Sequence, residues 1–253
     1  MSLPRGPIRL SSKGQVTAAL RFSSQRRRLD LMVSGGNPVA MCNNYVNDLP
    51  YDAYREAFAE LRIPVVFPEA APNLAPQPDI RPTDVAPVIR LDEGRTEFAR
   101  LSWGFPPGRP KAGPIINYRS EGRRVERGRC LVPASAFHEY TGARYPKTKW
   151  RFARADEMWM GIAGLWRPTE MGGAFTMLTV EPGPDVAPYH DRQIVILERR
   201  DWATWLDPAA SVSHLMGPSP SGLLTVRMAV SGSGDTSPGL DLGPTGSRSS
   251  GPA

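Results

Sequence analysis

Nothing in these 253 residues has the spacing of a metal or nucleotide site: CxxC, HExxH, GxGxxG and Walker patterns are all absent. No cofactor or metal is therefore expected. Cysteine occurs only twice, at Cys42 and Cys130, too few for a disulfide framework, so a reducing cytoplasmic setting (nucleoid-associated, if DNA is the partner) is expected. Histidine occurs three times, at His138, His190 and His214. No apolar run approaches the roughly 18 residues needed to cross a bilayer. No apolar h-region follows the first charges, which argues against a secretory signal. No membrane association is expected, and a monomer is the default.

What charge there is lies unevenly. The net charge is +6, and residues 1–40 alone hold seven basic side chains against one acid, so residues 41–253 balance at 24 of each sign. Residues 1–40 show no hydrophobic period and read as a non-conforming basic extension, either a mis-assigned start or a leader. An Arg-rich, Ser-rich, acid-poor organellar transit peptide is the alternative. With them excluded, the overall basic balance is no argument for nucleic-acid binding. Within the balanced remainder, residues 109–154 carry twelve basic side chains and three acids (Glu121, Glu126, Glu139). Aromatic groups such as Trp103, Tyr118, Tyr140 and Tyr145 are interleaved there. Such a stretch reads as a phosphate-contacting groove with stacking faces or as a solvated basic face.

Periodicity places a first helix over 48–62, with Asp48 as cap and Tyr54, Phe58 and Leu61 on one face. A Pro-rich connector follows, from Pro64 to Pro82, too irregular for either regular element. Strands are expected over 86–91 and 96–103, joined as a hairpin, then over 130–133, 149–153, 159–166, 175–180, 193–197 and 223–230. A short amphipathic helix is expected over 199–206. The fold class is α+β: a single strand-dominated domain over 41–230, with a few flanking helices. Residues 231–253, rich in Gly, Ser and Pro, read as a disordered tail.

The residue that carries most chemistry is Cys42, directly after an internal methionine. If translation starts at Met41, removing that methionine leaves a thiol and a free α-amine on one residue. Such an aminothiol attacks an aldehyde through nitrogen and then through sulfur, closing a five-membered thiazolidine. An internal cysteine, its nitrogen held in a peptide bond, cannot. A terminal α-amine with a pKa of about 7.7–8.0 is partly neutral near pH 7, unlike lysine at about 10.4. The thiol, at about 8.5, is partly thiolate.

Five blocks in order resemble one family: Met41-Cys42-Asn43-Asn44-Tyr45, Leu101-Ser102-Trp103-Gly104-Phe105, Ile116 to Glu121, Arg129 to Ala134 with Phe137 to Tyr140, and Tyr189-His190-Asp191-Arg192. They are similar to those of SRAP-domain proteins, the SOS-response-associated peptidases. The resemblance implies that family's barrel-like mixed sheets and covalent capture of abasic sites in single-stranded DNA. It also implies an autoproteolytic step where a precursor extension exists. Carried over by position, Cys42 forms the crosslink, Asn117 orients the cysteine and the opened sugar, and Glu139 and His190 do acid–base work. Trp103 resembles an aromatic platform in the DNA groove and Arg119 a phosphate contact, with Arg123, Arg124 and Tyr140 as further DNA contacts. The chain departs from the commoner Met-Cys-Gly-Arg start at Asn43 and Asn44, and it has His138 and Tyr140 where Tyr and Trp usually flank the glutamate. By alternation on a strand, His138 points away from Glu139. Two other activities fit the same residues: a cysteine peptidase using Cys42 with His190 as base, and a non-catalytic single-stranded-DNA-binding module.

Overall fold

The computed structural model describes residues 42–67, 74–170 and 172–231. The basic extension and the C-terminal tail expected from the sequence lie outside the described residues. In chain order the elements are β1 (Tyr45–Asn47), α1 (Tyr51–Glu60), β2 (Val65–Val66), β3 (Gln77–Ile80), β4 (Val85–Asp92), β5 (Arg95–Trp103) and β6 (Asn117–Arg119). They continue with β7 (Arg129–Ala134), β8 (Ala136–Thr141), β9 (Thr148–Arg154), β10 (Met160–Arg167), β11 (Ala174–Val180), β12 (Gln193–Ile194), β13 (Ile196–Leu197), α2 (Trp202–Leu206) and β14 (Leu224–Val230). The expected strand-dominated α+β architecture is what the chain adopts.

One sheet has nine strands, in the order β12-β11-β10-β7-β4-β5-β2, with β13 beside β10 and β6 beside β11. A parallel pairing of β11 with β5, Ala174 opposite Ser102 and Phe175 opposite Trp103, joins the two sides of this sheet. Strands β4, β5, β11, β10 and β7 thereby form a closed ring, leaving few free edges. The second sheet runs β14-β9-β8-β1-β3. Strand β7 passes almost directly into β8, so residues 129–141 belong first to the ring and then to the second sheet.

Alternation along the ring strands explains the two cores. Val88, Trp103, Val132, Ile162, Phe175 and Met177 face one side and pack with Tyr45, Phe137, Trp150 and Phe152 of the second sheet. Ile89, Leu131, Ala163 and Leu178 face the other side, under Tyr54 and Phe58 of α1 and Trp202 and Trp205 of α2. Strands buried on both faces read as continuous apolar runs, as Arg129–Ala134 and Ala174–Val180 do. Burying each large aromatic of this second core contributes roughly 1.5–3 kcal/mol before entropy is charged.

Local chemistry sets several boundaries. The β4–β5 turn has Glu93 and Gly94 both at positive φ, the geometry of a two-residue hairpin loop. The first helix begins at Tyr51, not at 48, and Asp48 does not cap it: its N-cap is Pro50, without a side-chain cap bond. Asn47 instead takes the local polar role, accepting from the Tyr54 hydroxyl at 2.7 Å and from the Leu49 amide at 3.4 Å. The expected helix over 199–206 splits into a 3₁₀ turn, Arg199–Asp201, running into α2. The Pro-rich connector also holds more order than its composition suggests. Pro78 is tolerated in β3 because that strand is the edge of its sheet, where a missing N–H costs no ladder bond.

Candidate active site

Two distant segments converge on the backbone of residue 42. Strand β8 lies antiparallel to β1, Tyr45 opposite Phe137, and the His138 amide donates to the Asn44 carbonyl at 3.0 Å. This register carries Glu139 to the start of the chain segment, where the Cys42 nitrogen donates to Glu139 Oε1 at 3.2 Å. From the ring, β6 pairs parallel with β11, Asn117 opposite Met177. Asn117 Nδ2 then donates to the Cys42 carbonyl at 3.2 Å. The Cys42 thiol lies 3.7 Å from the Asn44 carbonyl, long even for a weak S–H donor. Cys42 and Glu139 are each about 1% exposed.

Burial sets the electrostatics. It pushes the Glu139 carboxyl up to about 8, against the Cys42 N–H bond that pulls it down, and Asp191 adds a further upward push. The outer oxygen, Oε2, is buried and has no hydrogen-bond partner among the described residues, so Glu139 has one oxygen engaged and one open. Burial first, and then the charge of Glu139, raise the Cys42 thiol well above its ordinary value. A free thiolate is therefore disfavoured at rest.

His190 is buried on the loop before β12. Its Nδ1 accepts the Arg192 amide at 3.0 Å and lies 3.0 Å from Asp191 Oδ1. These two roles exclude each other: a neutral ring accepts at Nδ1, whereas a protonated ring donates there to Asp191. Asp191 links His190 to the site, since its charge is felt at Glu139. Cys42, Asn117 and Glu139 are thus joined by hydrogen bonds, and His190 stands beside the acid that acts on Glu139.

The expected DNA contacts divide. Arg119, Arg123 and Arg124 are exposed. Arg123 lies over the Tyr118 ring, 5.7 Å from its centre, and Arg124 has only a 4.0 Å contact with exposed Glu126, a pair worth little. Tyr140 is half-buried, with the Lys149 ammonium 6.0 Å from its ring centre. Trp103 is a correction: it is fully buried, edge-on to Tyr45 and stacked on Phe175, and offers no face to a base. Its indole N–H instead donates to the Ile116 carbonyl at 3.1 Å, directly before Asn117. The following Gly104, at φ +115°, has Pro114 so close that an added Cβ would come within 2.7 Å of it. Trp103 and Gly104 fix the loop that delivers Asn117. Trp103→Phe is expected to lose about 1–3 kcal/mol of stability through the lost indole hydrogen bond and the smaller ring, although the Ile116 carbonyl keeps the Met177 amide. Affinity for lesion-free single-stranded DNA should not change. Anisotropy and thermal melts check this; weaker DNA binding at unchanged stability would restore the platform role.

Sequence reasoning missed the clasp between two blocks. The Arg192 guanidinium makes two bonds to the Glu121 carboxylate, one of them at 2.8 Å, and a third to the Thr179 carbonyl at 2.9 Å. Arg192 holds the Glu121 carboxyl below the usual carboxylate range. The clasp ties the segment after β6 to the His190 loop, and its signal was the charged end of each block.

A family model described as SOS response associated peptidase (SRAP) matches residues 41–231. Abasic site processing protein YoaM of Bacillus subtilis is 27% identical over 177 residues, covering 62% of this chain and 77% of its own length. Abasic site processing protein YobE of the same organism is 27% identical over 187 residues, covering 66% and 83%. A solved structure from Bordetella bronchiseptica superposes with a TM-score of 0.55 at 25% identity, covering 75% of this chain and all of that one. The family model spans every residue of the site, and the chain belongs to the SOS response associated peptidase (SRAP) family.

Proposed function

We propose that this protein processes abasic sites in DNA by capturing the sugar aldehyde covalently on Cys42, once residues 1–41 no longer precede it. One observation carries the reading: the nitrogen of residue 42 lies 3.2 Å from a buried carboxyl with an open second oxygen. In a chain beginning at Cys42 that nitrogen is an amine, and burial opposes separating its charge from that of Glu139. The neutral pair, amine and carboxylic acid, is the state that attacks a carbonyl.

The steps balance as follows. The amine adds to the open-chain aldehyde, giving a carbinolamine. Glu139, as acid, protonates the departing hydroxyl, and one water leaves to give an iminium. The thiol of Cys42 then adds to the iminium carbon while the Glu139 carboxylate takes its proton, closing the thiazolidine and regenerating the acid. Glu139 thus gives and recovers one proton, a role worth about 10²–10⁴-fold in rate. Asn117 holds the Cys42 carbonyl so that both attacking atoms stay in one geometry. His190, with Asp191, supplies a second proton-transfer group for opening the sugar ring.

The family names of the two bacillary relatives support abasic-site processing as the task. The raised thiol counts against a peptidase that would need a resting thiolate at Cys42. Removal of residues 1–41, by the chain itself or by another protease, is one hydrolysis at the Met41–Cys42 bond. The test is intact mass after incubating the chain starting at Cys42 with single-stranded DNA bearing one abasic site. Protein plus DNA minus one water is expected. Tight binding without a mass adduct would leave a binding module, and cleavage of unrelated peptides without an adduct would leave a peptidase.

A further inference from the structure

The outward face of the second sheet carries a row of cations, Lys149, Arg151 and Arg227, of which only Lys149 is answered by a carboxylate, Asp79. Strand β9 alternates strictly, with Thr148, Trp150, Phe152 and Arg154 buried and Lys149, Arg151 and Ala153 turned outward. On that outward face Arg151 stands directly opposite Arg227 of β14 and opposite His138 of β8. One rung away Lys149 stands opposite Tyr140. Like charges directly opposite across an antiparallel pair are destabilising, yet neither Arg151 nor Arg227 has an ion-pair or hydrogen-bond partner among the described residues. At the inner end of the row His138 is 5% exposed and its Nδ1 has no partner among the described residues. The acid nearby, Asp79, is already taken by Arg81, Asn44 and Lys149.

The same face continues beyond the strands. The β8–β9 loop holds Arg144 and Lys147, both exposed, on either side of Tyr145, whose ring is 92% exposed. Cations spaced along a flat strand face, with one free ring at the end, are the components of a single-strand path. Glu139 and Tyr140 are consecutive on β8 and so point to opposite faces of the sheet, which sets this row on the side turned away from Glu139.

We propose that the outward face of β8, β9 and β14, on the opposite side of the sheet from Glu139, is a track for a single DNA strand, with Lys149, Arg151 and Arg227 on successive phosphates and Tyr145 under a base. This rests on the capture reading for the site itself, but the track binds DNA with or without a lesion. The repulsion between Arg151 and Arg227 in the free protein is relieved when a phosphate lies between them.

The test uses an unmodified 20-nucleotide oligothymidylate and the same strand with one central abasic site. Anisotropy titrations across salt concentrations compare the full chain with the double variant Arg151→Gln/Arg227→Gln. Each lost phosphate contact lowers the slope of log affinity against log salt by about 0.7 for a single strand, so the double variant should lose about 1.4. The melting temperature should stay level or rise, since a repulsion has been removed, and Arg151→Lys/Arg227→Lys should restore the slope. Tyr145→Ala should weaken binding with no change in slope. An unchanged slope in the double glutamine variant overturns the track. A slope lost together with melting temperature also overturns it, assigning the two arginines to holding the sheet. If a chain starting at Cys42 binds DNA with the full slope yet forms no adduct with the abasic strand, the capture reading fails while the track stands.

Discussion

A chain that begins at Cys42 is expected to convert to a DNA adduct that survives denaturation and reducing agent, whereas Cys42→Ala yields none above background. The size of this effect follows from the chemistry, because both new bonds come from residue 42. Cys42→Ser keeps the amine, and so the imine, but oxygen closes a far more labile ring. Its adduct should appear only after borohydride reduction. A chain retaining Met41 should behave as Cys42→Ala does, despite a complete thiol, since its nitrogen is an amide. That comparison is the sharpest, because Glu139 and Asn117 already bond the residue 42 backbone in the chain where a peptide bond precedes it. Intact mass spectrometry reads all four chains. An adduct of equal yield on the Met41-retaining chain would remove the amine from the mechanism.

The second large effect belongs to Glu139→Gln. Capture should slow by about 10²–10⁴-fold, since the amide can neither give nor take the proton. Affinity for lesion-free DNA should change by less than about twofold, because the carboxyl is buried beside Cys42 and not on the phosphate path. Stability provides an independent check on the chain with residue 42 still in peptide linkage. There the folded carboxyl titrates at about 8, above its ordinary value of 4.5. Between those values the folded chain keeps a proton that the unfolded chain has released. The stabilisation is complete below pH 4.5 and is lost as pH rises through 8, amounting to roughly 5 kcal/mol. Glu139→Gln carries no such proton and should lack that slope, so its advantage over wild type should grow from pH 5 to 9. Parallel denaturation curves across that range would show instead that the carboxyl ionises freely when folded.

Much of the site was legible because its chemistry is local to short blocks. Cys42 stood out by its own chemistry behind Met41, whereas Asn117, Glu139 and His190 were reached through the family resemblance of their blocks. Their convergence was not visible, because it depends on the β1–β8 register and on β6 lying parallel to β11, pairings across tens of residues. The long strands β4, β5, β7, β9, β10 and β11 announced themselves by alternation or by continuous apolar runs. Of the short ones, β12 and β13 lie within the strand expected over 193–197, but β1, β2, β3 and β6, two to four residues long, were missed, as was the six-residue β8. Trp103 shows the limit of reading an aromatic beside a basic stretch. The same indole that suits a base also suits a core, and only its position inside the ring, under Phe175, decided between them. The outward row on β9 was hidden for the opposite reason. Its members looked like a general surplus of charge until β14 set Arg227 against Arg151.

The ring of strands is sewn shut by few bonds. Besides two residue pairs between β5 and β11, the seam has the Ser102 amide on the Gly173 carbonyl at 3.2 Å and the Gly104 amide on Phe175 at 2.7 Å. These partners lie about seventy residues apart, so their closure bears a large chain-entropy cost and is expected to come late in folding. Asn117 is delivered from this seam, through Trp103 and Ile116. A chain already beginning at Cys42 would therefore pass through most of its folding before Asn117 takes hold of residue 42. Pulse-labelled hydrogen exchange during refolding should find the amides of Gly104 and Met177 among the last to gain protection; early protection there would mean that the nucleophile is armed from the outset.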